Sequence, residues 1–167
     1  MLSDDALLAE IPRLRRYARA LAGDAARADD LVQDTLERAL RKGRLWRPGN
    51  VRAWLLTMMH NVFVNQLRGA GAIDYRDPVD LPELAVRAPQ HDAIELRELD
   101  RALQQLSPEH REILLLVGLE DLGYEEAARV VGAPVGTVMS RLSRARGRLR
   151  QLLAGQVSAP DFLKVVK

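Results

Sequence analysis

The residues with the most chemistry to offer are arginines: five fall between positions 141 and 150, and no acid occurs from Gly132 to Pro160. Guanidinium groups at that density suit phosphate binding, and a single arginine can pair bidentately with a guanine edge. A second polar set lies earlier, where Thr57, Asn61, Asn65 and Arg68 stand at spacings of four and three and would form one stripe on a helix. Covalent chemistry is poorly served. The absence of cysteine removes disulfides, thiolate zinc sites and cysteine nucleophiles. The three histidines, at 60, 91 and 110, form no close pair, so no metal site is expected. Nor is there a nucleophile–base pair, a phosphate-cradling glycine loop or any sign of a cofactor.

The elements that must carry these groups are helical. The 167 residues are 47% apolar and 4% aromatic, Leu, Ala and Arg dominate, and β-branched residues are scattered, which points to an all-α fold with one ordinary core or two small ones. The longest apolar run is Ile113 to Val117, far short of a bilayer span, and the opening MLSDDALLAE is acidic where a signal peptide is basic. Neither secretion nor membrane insertion is expected, and a reducing cytoplasm fits.

A net charge of +2 hides a pattern. Residues 1–73 carry 12 Lys/Arg against 8 Asp/Glu, residues 74–100 carry 3 against 8, residues 101–133 carry 3 against 6, and residues 134–167 carry 7 against 1. Two polyanion-facing modules joined by an acidic connector would produce this distribution.

Local signals divide the chain further. Ser3 caps a helix running to about Ala22, with Asp4 and Asp5 in its first turn and Leu7, Leu8, Ile11, Leu14 and Ala18 facing inward. A second helix, about 25–42, buries Leu31, Val32, Thr35, Leu36, Ala39 and Leu40, and Gly43 ends it. Residues 44–50 read as a loop, with Asn50 free to cap a third helix over about 51–68 whose core face is Trp54, Leu55, Met58, Met59, Val62 and Phe63. Gly69 to about Gln90, with three prolines and no sustained period, reads as a linker. Helical pattern resumes at Asp92 and runs to about Leu106, and Ser107-Pro108 starts another helix to about Leu119.

The segment 123–138 has the grammar of a helix-turn-helix. A short helix with small inward residues Ala127 and Ala128 reaches Gly132, which permits the tight turn, and Pro134 restarts a helix. Val135, Val138, Leu142, Ala145, Leu149 and Leu152 then face the core, leaving Thr137, Ser140, Arg141, Arg144 and Arg148 outside. In isolation such a basic stripe reads as merely solvated. The turn-helix before it makes DNA contact the expectation.

These residues resemble a family. "YEEAARVVGAPVGTVMSRLSRAR" is similar to the region 4 helix-turn-helix of the extracytoplasmic-function (ECF) sigma factors, a group within the sigma-70 family of bacterial RNA polymerase subunits. "DDLVQDTLERAL" and "NVRAWLLTMMHNVFVNQLR" resemble region 2, so the likeness covers about 5–70 and 93–153. It implies a region 2 domain over 1–70, a linker over 71–91, a region 4 domain over 92–155 and a tail over 156–167.

The resemblance also implies roles. Asp30, Gln33 and Asp34, a solvated face on spacing alone, fall where the family docks on the β′ clamp helices of core polymerase, whose β subunit is a further expected partner. Trp46, Arg47 and Asn50 fall in the loop that forms a pocket for a flipped base of the −10 element, and Asn61, Asn65 and Arg68 fall where its separated strand is held. Trp54 corresponds to core packing. Pro134, Gly136, Thr137, Ser140, Ser143 and Arg144 fall at positions contacting the −35 element, with Arg144 the candidate for a base edge and Arg141, Arg146 and Arg148 left to phosphates or solvent. Met139, Ser143 and Gly123 depart from the pattern of a basic residue, an aromatic and a serine cap. The acidic connector either threads the polymerase or solubilises the chain. An anti-sigma factor is an expected partner alongside promoter DNA.

The expected function is therefore promoter-specific initiation with core polymerase, without catalysis of its own. A sigma-like decoy that binds only an anti-sigma factor is one alternative, and its usual loss of basic recognition residues is not seen here. A helix-turn-helix repressor or activator is another.

Overall fold

The computed structural model describes residues 2–69 and 91–157, and among these the only regular structure is helical. All but the last residue of the expected linker lies outside the described residues, as does the expected tail from 158 on, while its first two residues, 156–157, belong to the last helix. Three helices form the N-terminal half: α1 (Asp4–Ala22), α2 (Ala25–Lys42) and α3 (Val51–Gly69). Four form the C-terminal half: α4 (His91–Gln104), α5 (Pro108–Gly118), α6 (Tyr124–Val131) and α7 (Val135–Val157).

Most boundaries follow from capping. The Ser3 hydroxyl accepts the Ala6 N–H at 3.2 Å, the Asp24 carboxylate accepts that of Ala26 at 2.9 Å, and the Asn50 side-chain oxygen accepts that of Ala53 at 3.2 Å. Ser107 does the same for His110 at 3.3 Å, with Pro108 in the first helical position. Gly23 ends α1 in the left-handed region at φ 76°, sending its N–H to Arg19 O at 2.9 Å. Pro12 lies inside α1, removing one helical hydrogen bond at an exposed position. Gly43 ends α2 as expected, but a 3₁₀ turn over Gly43–Leu45 takes the first two residues of the expected loop before the chain extends at Trp46.

Leu14, Tyr17, Ala18 and Leu21 of α1 meet Leu31, Val32 and Ala39 of α2 and Leu55, Met59 and Val62 of α3 in a dry core. Thr35 joins them by donating its hydroxyl to Leu31 O at 2.7 Å. Two expected core residues are corrected, since Leu8 is 60% exposed and Leu40 63%. Both lie at the edge of their helical stripes, and Leu40 borders an open groove between α1 and α2. Leu56, outside the expected stripe, is fully buried, because α3 packs on α2 and also on α6.

In the C-terminal half α5 and α6 pack on α7, burying Ile113, Leu116, Ala127, Val130, Val138, Leu142 and Ala145. The two halves share one continuous core, with α1 against α4 and α5 and α3 against α6. Arg111 ties them together. Its buried guanidinium donates to the carbonyls of Leu103, Gln104 and Leu106 in its own half and to that of Leu21 across the boundary, at 2.7 to 3.1 Å. Burial pushes its pKa down to about 10, partly offset by Asp100, so it stays a cation at neutral pH.

Candidate nucleic-acid interface

The turn between α6 and α7 sets the orientation of the arginine-bearing helix. Gly132 adopts φ 66°, and the N–H groups of Gly132 and Ala133 return to Ala128 O, the latter at 3.1 Å. Pro134 then accepts the Val138 N–H at 3.1 Å and starts α7. With Val138, Leu142 and Ala145 held inward, Pro134, Gly136, Ser140, Ser143, Arg144, Arg146 and Arg148 are exposed. Two expected contacts are less free. Thr137 is half-buried, and Arg141 is half-buried with a nitrogen 3.9 Å from a Glu109 oxygen. Val135, expected inward, is 37% exposed at the first position of α7. Met139 is exposed on the same side.

His110 of α5 lies close to this face. Its pKa is lowered from 6.5, first by burial and then by the cations of Arg144 and Arg141, against an opposing pull from Glu109. The imidazole is therefore neutral at pH 7, and the face presents arginine as its charge.

The second candidate surface is α3 and the loop before it. Asn61, Asn65 and Arg68 are exposed, as are Arg47 and Asn50, although the Asn50 oxygen is already engaged as a cap. Trp46 is half-buried and packs on the core, giving the loop one apolar wall. Thr57, expected in the same stripe, is half-buried and donates to Ala53 O at 2.8 Å. Trp54 packs against the core.

The third surface is on α2, where Asp30, Gln33 and Asp34 are exposed and Asp34 accepts from Gln66 of α3 at 3.1 Å. Gln33 borders the α1–α2 groove, a space of about 600 Å³ also lined by Arg15, Val32, Leu36 and Leu40. Among the described residues no group of His, Asp or Glu could hold a metal ion, and no helix is long and apolar enough to cross a membrane.

Sequence reasoning missed one polar cluster altogether. His60 Nδ1 lies 2.7 Å from Glu112 Oε1, and Arg52 contacts Glu10 at 3.1 Å with Glu120 beside it at 4.0 Å. The signal was only partly available in the spacing: Glu112 stands four residues before the fully buried Leu116 and shares its stripe on α5, whereas Glu120 lies beyond the helix end.

Comparison with known proteins gives this architecture a family. Residues 96–149 match the model "Sigma-70, region 4", and residues 7–60 match "Sigma2 domain of PhyR". The chain is 42% identical over 154 residues to the ECF RNA polymerase sigma factor EcfG of Rhodopseudomonas palustris, covering 91% of this chain and 84% of that one. It is 35% identical over 147 residues to the ECF RNA polymerase sigma factor SigL of Mycobacterium tuberculosis, covering 84% and 82%. Among solved structures it matches the sigma factor RpoE in its co-crystal with the anti-sigma factor NepR from Bartonella quintana, with TM-score 0.76, 38% identity and coverage of 90% and 95%. The helix-turn-helix half and the three-helix half are thus those of sigma-70-type transcription factors. More narrowly, the chain belongs to the ECF RNA polymerase sigma factors, and its function is that of a sigma factor in promoter-directed initiation.

Proposed function

We propose that residues 1–70 engage core polymerase and the −10 element, that residues 92–155 read the −35 element, and that 71–91 connect them, with 156–167 a tail. The observation that carries this reading is the exposed cationic face of α7, positioned by a helix-turn-helix. Arg144 serves as the base-edge contact, since it is exposed on a helix that fits a major groove. Arg141 and Arg148 bind flanking phosphates, and Pro134, Gly136, Thr137, Ser140 and Ser143 bring the helix start against the backbone. Asn61, Asn65 and Arg68 hold the separated −10 strand beside a base pocket formed by Trp46, Arg47 and Asn50. Asp30, Gln33 and Asp34 dock on the β′ clamp helices, with the mixed polar and apolar α1–α2 groove beside them. The polymerase supplies the chemistry, the chain acts in the cytoplasm and it has no active site of its own.

Control by an anti-sigma factor follows the similarity to the RpoE–NepR pair. The test is run-off transcription with bacterial core polymerase on a genomic fragment library, comparing the wild type with Arg144→Ala. Starts that share a two-part motif and weaken in the variant are the expected result, and their absence overturns the reading.

A second reading, the decoy, draws on the match of residues 7–60 to the PhyR domain. It predicts anti-sigma binding with no specific starts. The five arginines of α7, none of them fully buried, weigh against it.

A further inference from the structure

Met139 is 51% exposed on α7, and Val135, one turn before it, is 37% exposed. A lone exposed methionine on a protein surface needs no explanation. This pair stands where a recognition helix enters the major groove, since the residues of its first turns are the ones that reach base edges.

Few side chains compete for that space. Gly136, Ser140 and Ser143 are exposed but short, and Thr137 is half-buried. Arg141 is half-buried and lies 3.9 Å from Glu109. Met139 and Arg144 are thus the two long, exposed side chains of the first three turns. At about 100° per residue they lie on opposite flanks of α7, with Gly136, Ser140 and Ser143 between them and the buried Val138, Leu142 and Ala145 behind. The small residues let the backbone approach the floor of the groove, and each flank then meets base edges of its own. Helical side chains lean toward the N-terminus of their helix, so Met139 leans toward Val135 and the reading end of α7, while Ser143 on the next turn is too short to crowd it.

The chemistry of a thioether narrows what Met139 can meet there. It donates no hydrogen bond and carries no charge, so it neither neutralises a phosphate nor pairs with the polar edges of guanine, adenine or cytosine. The apolar group that a base pair presents in the major groove is the C5-methyl of thymine. An unbranched, polarisable side chain adapts readily to such a group. The basic residue of the family pattern would add sequence-independent attraction to phosphate at this position, and methionine exchanges that attraction for a preference.

We propose that Met139 is a specificity-determining residue that packs, with Val135 beside it, on the C5-methyl of a thymine in the upstream promoter element, on the flank of α7 opposite Arg144. The assignment rests on the promoter-reading function proposed above. It makes selection at this base pair a matter of one methyl group and leaves it insensitive to salt.

Replacing thymine by deoxyuracil removes that methyl and keeps every hydrogen bond, which gives a direct test. A promoter fragment from the run-off experiment is substituted at one thymine of the upstream element at a time, on either strand, and bound by the full chain with core polymerase. At one thymine we expect the wild type to lose affinity about fourfold, the worth of one methyl group taken out of water. In Met139→Ala the same replacement has almost no effect, the coupling being read as a double-mutant cycle, and the slope of log K against log salt stays at the wild-type value. Met139→Lys loses the methyl effect and steepens the slope by about 0.9. Arg144→Ala binds more weakly and keeps the methyl effect. Circular dichroism of the variants confirms retained helicity.

An upstream element without thymine, or one in which no thymine responds to loss of its methyl, overturns the assignment. So does a methyl effect of equal size in Met139→Ala. A loss in Met139→Ala that is equal on thymine and deoxyuracil also overturns it and places Met139 against a protein surface of the polymerase. In each of these cases specific starts that weaken in Arg144→Ala leave the promoter reading intact. The absence of specific starts overturns that reading, and the role of Met139 with it.

Discussion

Two regions of this molecule are rich in charge and treat it in opposite ways. On α7 the guanidiniums of Arg144, Arg146 and Arg148 stand in water, whereas at the boundary of the halves Arg111, Glu112 and Glu120 are buried. Charge intended for a partner stays hydrated until the partner arrives, and loses little by waiting. Charge used to join two parts of one chain must be desolvated at folding, so its geometry decides the sign of its contribution. Arg111 meets four carbonyls and is satisfied, while Glu120 has cations nearby and, among the described residues, no hydrogen bond.

Substitutions can break or sharpen this contrast. The largest effect is expected at the buried cation. Arg111→Met strands carbonyls of both halves and lowers stability by about 3 kcal/mol, read in thermal unfolding as a fall of roughly 6–12 °C. Arg144→Ala reverses the profile: promoter affinity falls roughly 5- to 150-fold, while stability stays within about 0.5 kcal/mol of wild type. If the two variants gave similar thermal midpoints, the contrast would fail.

Smaller effects refine it. Arg148→Ala flattens the dependence of binding on salt, with the slope of log K against log salt falling by about 0.9 if the side chain neutralises one phosphate. An unchanged slope assigns Arg148 to solvent. His110 tests the border between the two regions. Its folded pKa lies below 6.5, so the unfolded chain takes up a proton first, and its contribution is present above pH 6.5 and lost as pH falls through the lowered value. Urea midpoints at pH 8 and pH 5.5 should differ by less in His110→Gln than in the wild type. The smallest change is Gly123→Ser. Gly123 caps α6 without a side-chain hydrogen bond, and a Cβ there meets nothing within 4 Å, so serine should add a few tenths of a kcal/mol in urea denaturation.

Much of the architecture was legible because it rests on short-range rules. The Ser3, Asn50 and Ser107 caps and the Gly23 and Gly132 stops are local chemistry, and the boundaries of α2 follow from them and from its apolar period. The exposed positions of Asn61, Asn65, Arg68, Arg144 and Arg148 follow from which neighbours are apolar. Other features depend on what covers each helix, which no period encodes. Leu40 has the right spacing for the core and meets an open groove, whereas Leu56 has the wrong spacing and is enclosed because α6 arrives from more than 60 residues away. The pairing of His60 with Glu112 is of the same kind: each lies on a readable helix, and only the docking of the halves joins them. The exposed faces of α3 and α7 are visible in sequence, while the partners they serve entered through family resemblance.

One small feature near the end of α1 has a mechanical consequence. The side chain of Gln104 occupies the space where a Cβ on Gly23 would stand. Bare backbone at position 23 therefore acts as a keyway, and the amide is the key that indexes one half to the other. A side chain at position 23 would push that amide out, so the two halves seat in this one register only while the position stays bare.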